Sequence, residues 1–256
     1  MKPEPKQFQT VVGGKSITFE TGRLAGLAGG AVTVRLGDTM IFAAATISPD
    51  IRPGIDFFPL TVDYEERMYA GGRIPGSFFR REGRPSEEAI LIARLTDRPL
   101  RPLFPKDMRN DVQVILYSFS VDGENSIDIL AINAASAALM ISDAPWGGPV
   151  AAVRIGRIDG QLVTNPTIAE QEISDLDLRL AGTRDAILMV ECGAKEVPEA
   201  VMVEALKYGH QALQPLIDTM EQMALQIGKT KITYTPSVTS EALLAQVSDQ
   251  AAGRLN

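Results

Sequence analysis

Phe78-Phe79-Arg80-Arg81-Glu82-Gly83-Arg84-Pro85, followed by Asp97-Arg98-Pro99-Leu100-Arg101-Pro102-Leu103-Phe104-Pro105, is the stretch from which the rest of the chain reads outward. Two adjacent phenylalanines abut two adjacent arginines. Loop formers flank them, with Gly71, Gly72, Pro75 and Gly76 before and Gly83 and Pro85 after. Downstream, Arg94, Arg98 and Arg101 recur at helical spacing until prolines end the pattern. From Arg67 to Arg109 there are nine arginines and one lysine against five acids, a net charge of about +5 in a chain whose formal charge is −7. An arginine island in an acidic protein has a polyanion as its natural partner.

Composition narrows the classes. At 256 residues the chain is one large domain or two small ones, with enough apolar residues for a proper core. No apolar run follows the lysines of the first ten residues, so no signal peptide is expected. The longest apolar stretch, Ile127 to Ile141, is broken by Asp128, Asn133 and Ser136 and is too short to span a bilayer. A single cysteine, Cys192, allows no intramolecular disulfide and suits a reducing, cytoplasmic compartment. With one histidine, His210, beside that one cysteine, a structural zinc site and a Ser-His-Asp triad both lack material.

Along the chain, residues 8–20 alternate around Gly13-Gly14 and read as a hairpin. Strands over Ala31–Leu36 and Met40–Ile47 are joined by Gly37-Asp38, and another is expected over Phe57–Asp63. Ser86 caps a helix with Glu87 and Glu88 in its first turn, expected to stop near Asp97 because Pro99 disfavours a helical Arg98. A strand over Val112–Val121 and a small-residue helix over Ser126–Ile141 follow. Pro145-Trp146-Gly147-Gly148-Pro149 marks a seam, then a hairpin turns at Asp159-Gly160. Ser174 to Ala181 alternates, with Leu176, Leu178 and Leu180 on one face and Asp175, Asp177 and Arg179 on the other, and Ala186–Cys192 returns as a buried strand. A long helix starts near Pro198, kinks at Pro215 and ends near Gly228. After an extended connector over Thr230–Val238, Ser240 caps a helix still running at Asn256, so the chain reads as truncated.

Phe78 to Arg84, the run Ala93-Arg94-Leu95-Thr96-Asp97-Arg98-Pro99-Leu100-Arg101-Pro102-Leu103-Phe104, and Asp177 to Val190 together closely resemble the N-terminal part of the bacterial polyribonucleotide nucleotidyltransferase (polynucleotide phosphorylase) family. The resemblance covers essentially the whole chain. It implies an α/β fold with mixed sheets (α+β), a ribonuclease PH-like core domain with halves over 8–144 and 145–228, and the beginning of an all-helical linker domain over 229–256.

Members of the family shorten single-stranded RNA from its 3′ end with inorganic phosphate as co-substrate, release nucleoside diphosphates, and also run in reverse. The resemblance further implies a homotrimer with RNA threading its channel, Mg²⁺ bound by a second, downstream core, and other RNA-degradation proteins such as a helicase or an endoribonuclease as partners. The first core contributes RNA handling, which carries over here to Phe78, Phe79, Arg80, Arg81, Arg84, Arg98 and Arg101. Aromatic stacking with arginines on phosphates is a sequence-tolerant way to hold a single strand.

Against the family's catalytic core, three positions depart. The aspartate of its hairpin is Asp177 here, but the lysine two residues on is Arg179 and the upstream acid is Gln171. Its phosphate-holding serine pair reads Ser126-Ile127-Asp128, which places a carboxylate where phosphate would bind. Catalysis by this core is therefore not expected, and Asp177 and Arg179 are degenerate equivalents of catalytic residues. Two other readings stay open: an isolated RNA-binding scaffold, and a free-standing ribonuclease PH-type enzyme acting phosphorolytically on transfer-RNA ends. On plain grounds, Asp175, Asp177 and Arg179 are expected on a solvated strand face, and Arg94, Arg98 and Arg101 can be occupied by nearby acids. Cys192 is expected in packing, His210 at the surface or as a cap, and Met220 and Met223 in the core or a trimer contact.

Overall fold

A computed structural model describes residues 4–76, 84–237 and 240–255. One sheet has six strands in the order β1 (Lys6–Val12), β2 (Lys15–Thr21), β3 (Gly30–Leu36), β4 (Thr39–Ile47), β6 (Val112–Ser120) and β5 (Leu60–Glu65). All neighbours are antiparallel except β5 and β6, which are joined by a crossover through α1 (Glu87–Leu100). The second sheet has four strands in the order β10 (Ile187–Ala194), β9 (Leu176–Gly182), β7 (Ala151–Ile158) and β8 (Gln161–Thr164).

The element between the sheets is α2 (Ile127–Ile141), which packs on β3, β4 and β7. It is apolar on every side and buried nearly throughout, as expected of a helix with no solvent face. The three polar residues that interrupt its sequence make bonds that the sheets need. β8 is too short to cover the start of β7, which leaves backbone groups there unpaired. Asn133 completes them, its Nδ2 donating to Ala152 O (2.9 Å) and its Oδ1 accepting from Ala152 N (2.9 Å), while Ser136 Oγ accepts from Val150 N (3.0 Å). The third, Asp128, belongs to the site below. Gly30 crosses α2 so closely that an added Cβ would stand 2.1 Å from Ala138 O.

Several boundaries differ from the sequence reading. The helix at Glu87 does not stop at Asp97: α1 continues through Pro99 to Leu100 and into a 3-10 turn at Arg101–Leu103. Burial decides it, because Pro99 and Leu100 are both buried and Leu100 O accepts from Trp146 Nε1 (3.0 Å), so packing overrides the local preference. β5 begins at Leu60, three residues later than expected. β10 is not a buried strand but the exposed edge of its sheet, and Cys192 is exposed on it rather than packed. The long helix after Pro198 is two helices, α4 (Glu199–Ala212) and α5 (Gln214–Ile227). Their junction is the buried Leu213, and Pro215 falls in the first turn of α5, where its missing N–H leaves no gap. Met220 and Met223 are core residues.

The segment after α5 has no regular structure yet is tied along the core. Lys229 N donates to Ile141 O, Ile232 N to Asp143 O and Ser237 N to Asp107 O. Lys231 Nζ caps the end of α2 by donating to the carbonyls of Leu139, Met140 and Ser142 (3.0, 3.0 and 2.7 Å). Beyond it, α6 runs over Glu241–Leu255. No helix of the described residues is long and apolar enough to cross a membrane.

Candidate functional site

A cleft of about 1330 Å³ opens where α1, the short 3-10 turn at Met68–Gly71, the N-terminus of α2 and the β9–β10 hairpin meet. A second groove of about 570 Å³ runs along the other flank of α1, against the edge strand β5. α1 is the ridge between them, and Arg94 and Arg98 line both.

The loop leading into α2 is fixed first, because it sets the cleft floor. Asp122 accepts from Glu124 N, Asn125 N and Asn125 Nδ2 within its own loop, and from Asp38 N and Thr39 N across the sheet. Burial pushes this carboxyl up, but these hydrogen bonds outweigh it and hold it far below the ordinary carboxylate range. Asn125 and Ser126 are thereby placed at the head of α2.

Behind them lies an ionic network the sequence reading missed. Arg154, on β7, bonds both oxygens of Asp177 on β9 (Nε–Oδ1 2.6 Å, Nη2–Oδ2 2.7 Å), a bidentate pair, and its Nη1 donates to Ser126 Oγ (3.0 Å) and Asp128 Oδ2 (3.5 Å). Arg179 Nε donates to Asp128 Oδ2 (2.8 Å), and its Nη2 lies 3.5 Å from Asp177 Oδ2. Glu191 on β10 closes the set, accepting from Arg179 Nη1 (3.4 Å) and from Arg98 Nη1 on α1 (2.8 Å). Three arginines and three carboxylates balance. Arg154 and Asp128 are each only 8% exposed, so their charges exist there only because they are paired.

Protonation follows from the pairing. Burial raises the Asp177 carboxyl, but the Arg154 hydrogen bonds and the charges of Arg154 and Arg179 pull it below its usual value. Burial would weaken the charge on Arg179, but Asp128 and Asp177 hold it more firmly protonated. Of the three residues expected on a solvated strand face, Asp177 and Arg179 are instead held in ion pairs, and the half-exposed Asp175 accepts from Arg157 Nη1 (2.9 Å). Asp177 and Arg179 point beneath the N-terminus of α2, opposite the inward leucines Leu176, Leu178 and Leu180.

These residues do not fit a magnesium ion. Mg²⁺ takes carboxylate oxygens in an octahedron. Both Asp177 oxygens accept from Arg154, Asp128 Oδ2 accepts from two arginines, and Asp128 Oδ1 accepts from Ile129 N. Gln171, at the remaining position, directs its amide to Ser126 Oγ (2.9 Å) and Pro166 O (3.0 Å). Among the described residues no group of three or more His, Cys, Asp or Glu is disposed to hold a metal.

Of the residues expected to handle RNA, Phe78, Phe79, Arg80 and Arg81 lie outside the described residues. Arg84 is exposed two residues before the N-cap Ser86. Arg98 faces the cleft, paired with Glu191 rather than with the acids nearer in sequence. Arg101 is a staple: it bonds both oxygens of Asp97 (2.9 and 2.7 Å) and the carbonyls of Phe58 and Leu60 (3.2 and 3.1 Å), tying the end of α1 to β5. Among the described residues, Arg73, Arg84 and Arg94 have no ion-pair partner. His210, at the end of α4, has Nε2 3.0 Å from Thr183 O and braces the β9–β10 turn. Arg154 did leave one signal: an arginine inside the otherwise apolar strand Ala-Ala-Val-Arg-Ile-Gly has to be paired if buried.

Residues 13–145 match the model of the 3′ exoribonuclease family, domain 1, and residues 148–212 match that of domain 2 of the same family. The polyribonucleotide nucleotidyltransferase of Heliobacterium modesticaldum is 54% identical over 88% of this chain and 32% of that protein. The chain thus spans about a third of the length of the curated relatives it matches. Among solved structures, rice Rrp46 superposes with a TM-score of 0.64 at 17% identity, over 88% of this chain and 96% of that one. The Archaeoglobus fulgidus exosome with RNA bound to its active site gives 0.61 at 17% identity, over 84% and 87%. These last two likenesses concern the fold, which has the same mixed sheets and helices. On the two consecutive matches that account for residues 13–145 and 148–212, the chain belongs to the 3′ exoribonuclease family of the ribonuclease PH type.

Proposed function

We propose that this chain is the part of a polyribonucleotide nucleotidyltransferase that holds single-stranded RNA, and that the phosphorolytic chemistry of the whole protein takes place on another core. The observation that carries this reading is the closed network of Arg154, Asp177, Arg179 and Asp128. Each carboxylate that would have to face a metal or an attacking phosphate is already neutralised by a guanidinium. The family match supports RNA as the ligand class, and the arginine-rich ridge of α1 between two grooves supports a surface for it.

In this reading Phe78 and Phe79 stack on bases, and Arg80, Arg81, Arg84 and Arg98 meet phosphates. Arg101 serves through α1, as the staple that keeps the ridge in place. The whole protein, acting as a homotrimer in the cytoplasm beside other RNA-degrading proteins, uses inorganic phosphate and Mg²⁺ on its other core to release nucleoside diphosphates. A free-standing phosphorolytic enzyme is the weaker reading, since it needs free carboxylates and Arg154 and Arg179 occupy those of Asp128 and Asp177.

The test uses the chain alone with poly(A), phosphate and Mg²⁺, assayed for ADP and for RNA retention at two salt concentrations. No ADP is expected, with retention that falls as salt rises and is weakened by Arg80→Ala/Arg81→Ala. Phosphate-dependent ADP release, from protein free of full-length enzyme, would overturn the reading.

A further inference from the structure

The ionic network has two unequal halves. Its inner half, Arg154 with Asp128 and Asp177, is nearly closed to solvent on the arginine side. Its outer half is open: the side chains of Arg98 and Glu191 are 49% and 46% exposed, and both line the large cleft. Glu191 lies between two guanidiniums from different elements, Arg98 on α1 and Arg179 on β9. Two oxygens of one anion facing two arginines is also how the non-bridging oxygens of a phosphodiester are held.

We infer that Glu191 is an exchangeable counter-ion: it occupies the place of an RNA phosphate between Arg98 and Arg179 and gives it up when RNA enters the cleft. The ligand rests on the RNA-holding reading above; the geometry does not. Three observations support the exchange. Exposed ion pairs are weak and yield to a competing anion. Glu191 stands on β10, an edge strand with no strand paired to its outer side among the described residues, and its side chain is half exposed, so it can turn toward solvent. Arg94, one helical turn before Arg98 and without an ion-pair partner among the described residues, lines the same cleft and would meet the next phosphate. Glu66 and Glu88 also line this cleft and oppose binding, so displacing the Glu191 carboxylate changes the local balance most where two arginines already converge.

The 256-residue chain is titrated with a short fluorescent oligo(A), measuring anisotropy for the parent, Glu191→Gln, Arg98→Gln and the double variant. Glu204→Gln, an exposed acid on α4, controls for net charge. Glu191→Gln is expected to bind about three- to fivefold tighter, and that gain is expected to shrink below about twofold in the Arg98→Gln background. An unchanged or weaker Glu191→Gln would overturn the proposal and make Glu191 a positioning residue for Arg98. A gain that persists without Arg98, or that Glu204→Gln matches, would overturn it as a general charge effect. Calorimetry with inorganic pyrophosphate separates the two readings. If no variant holds RNA but pyrophosphate binds Glu191→Gln more tightly in an Arg98-dependent way, the RNA reading fails and the exchange stands. Pyrophosphate binding that ignores residue 191 overturns the exchange itself.

Discussion

Arg154 is the residue on which the site turns, since it neutralises Asp177 from both oxygens and reaches Asp128 as well. Replacing it by methionine keeps most of its bulk and removes its charge. Asp128 and Asp177 then face each other with only Arg179 between them. The expected loss in a urea titration is about 3 kcal/mol, the lower end of the range for breaking a buried pair, because water reaches part of Asp177. The pH dependence carries the same signature. A carboxyl held below its ordinary value of about 4 contributes stability that is fully present above that value and is lost as pH falls through the folded one. Asp177 is such a group and Arg154 is the main cause of its depression, so the stability gap between parent and Arg154→Met is expected to be largest at neutral pH and to narrow as pH falls through the folded value, in urea titrations at several pH values. The resemblance to the family drew attention to Asp177, Arg179, Gln171 and Asp128, and the structure brings these four together. Their closure was not legible in the sequence, because it depends on Arg154 coming from a strand more than twenty residues away in sequence, and pairing across a sheet leaves no local pattern.

Elements were legible where one face is buried and the other is not. The alternation at Leu176, Leu178 and Leu180 marked β9, and the glycine turns marked the hairpins. Misreadings arose where tertiary packing overrides local preference, as at Pro99, or where an apolar strand lies on an edge, as at β10. The meeting of β3 with α2 gives a test of packing at this scale. Gly30→Ala would drive a methyl group into Ala138 O and is expected to cost about 1–3 kcal/mol, read from thermal melts, although alanine itself favours extended backbone over glycine. The other end of α2 gives a second. Lys231→Met leaves the carbonyls of Leu139, Met140 and Ser142 without their donor, and a loss of about 1–3 kcal/mol is expected in the same measurement.

For the whole molecule, the segment between α5 and α6 sets what must be present for the core to be stable. Among the described residues it carries bonds to α2, to Asp143, to Asp107 and to Ala28. A chain ending after Ser237 is therefore expected to melt at the temperature of the full chain, and one ending after Gly228 several degrees lower. Composition could show an extended connector there but not its attachments, since the partners are backbone carbonyls, which no residue type announces.

The balance of three arginines against three carboxylates also bears on how such a centre could change over generations. Removing the charge of Arg154, Asp128 or Asp177 by a single substitution leaves a partly buried charge without its opposite. Each such single variant is expected to be less well folded. The network therefore acts as a lock on sequence change: at Arg154, Asp128 and Asp177, paired substitutions that remove both charges are expected to be tolerated better than single ones.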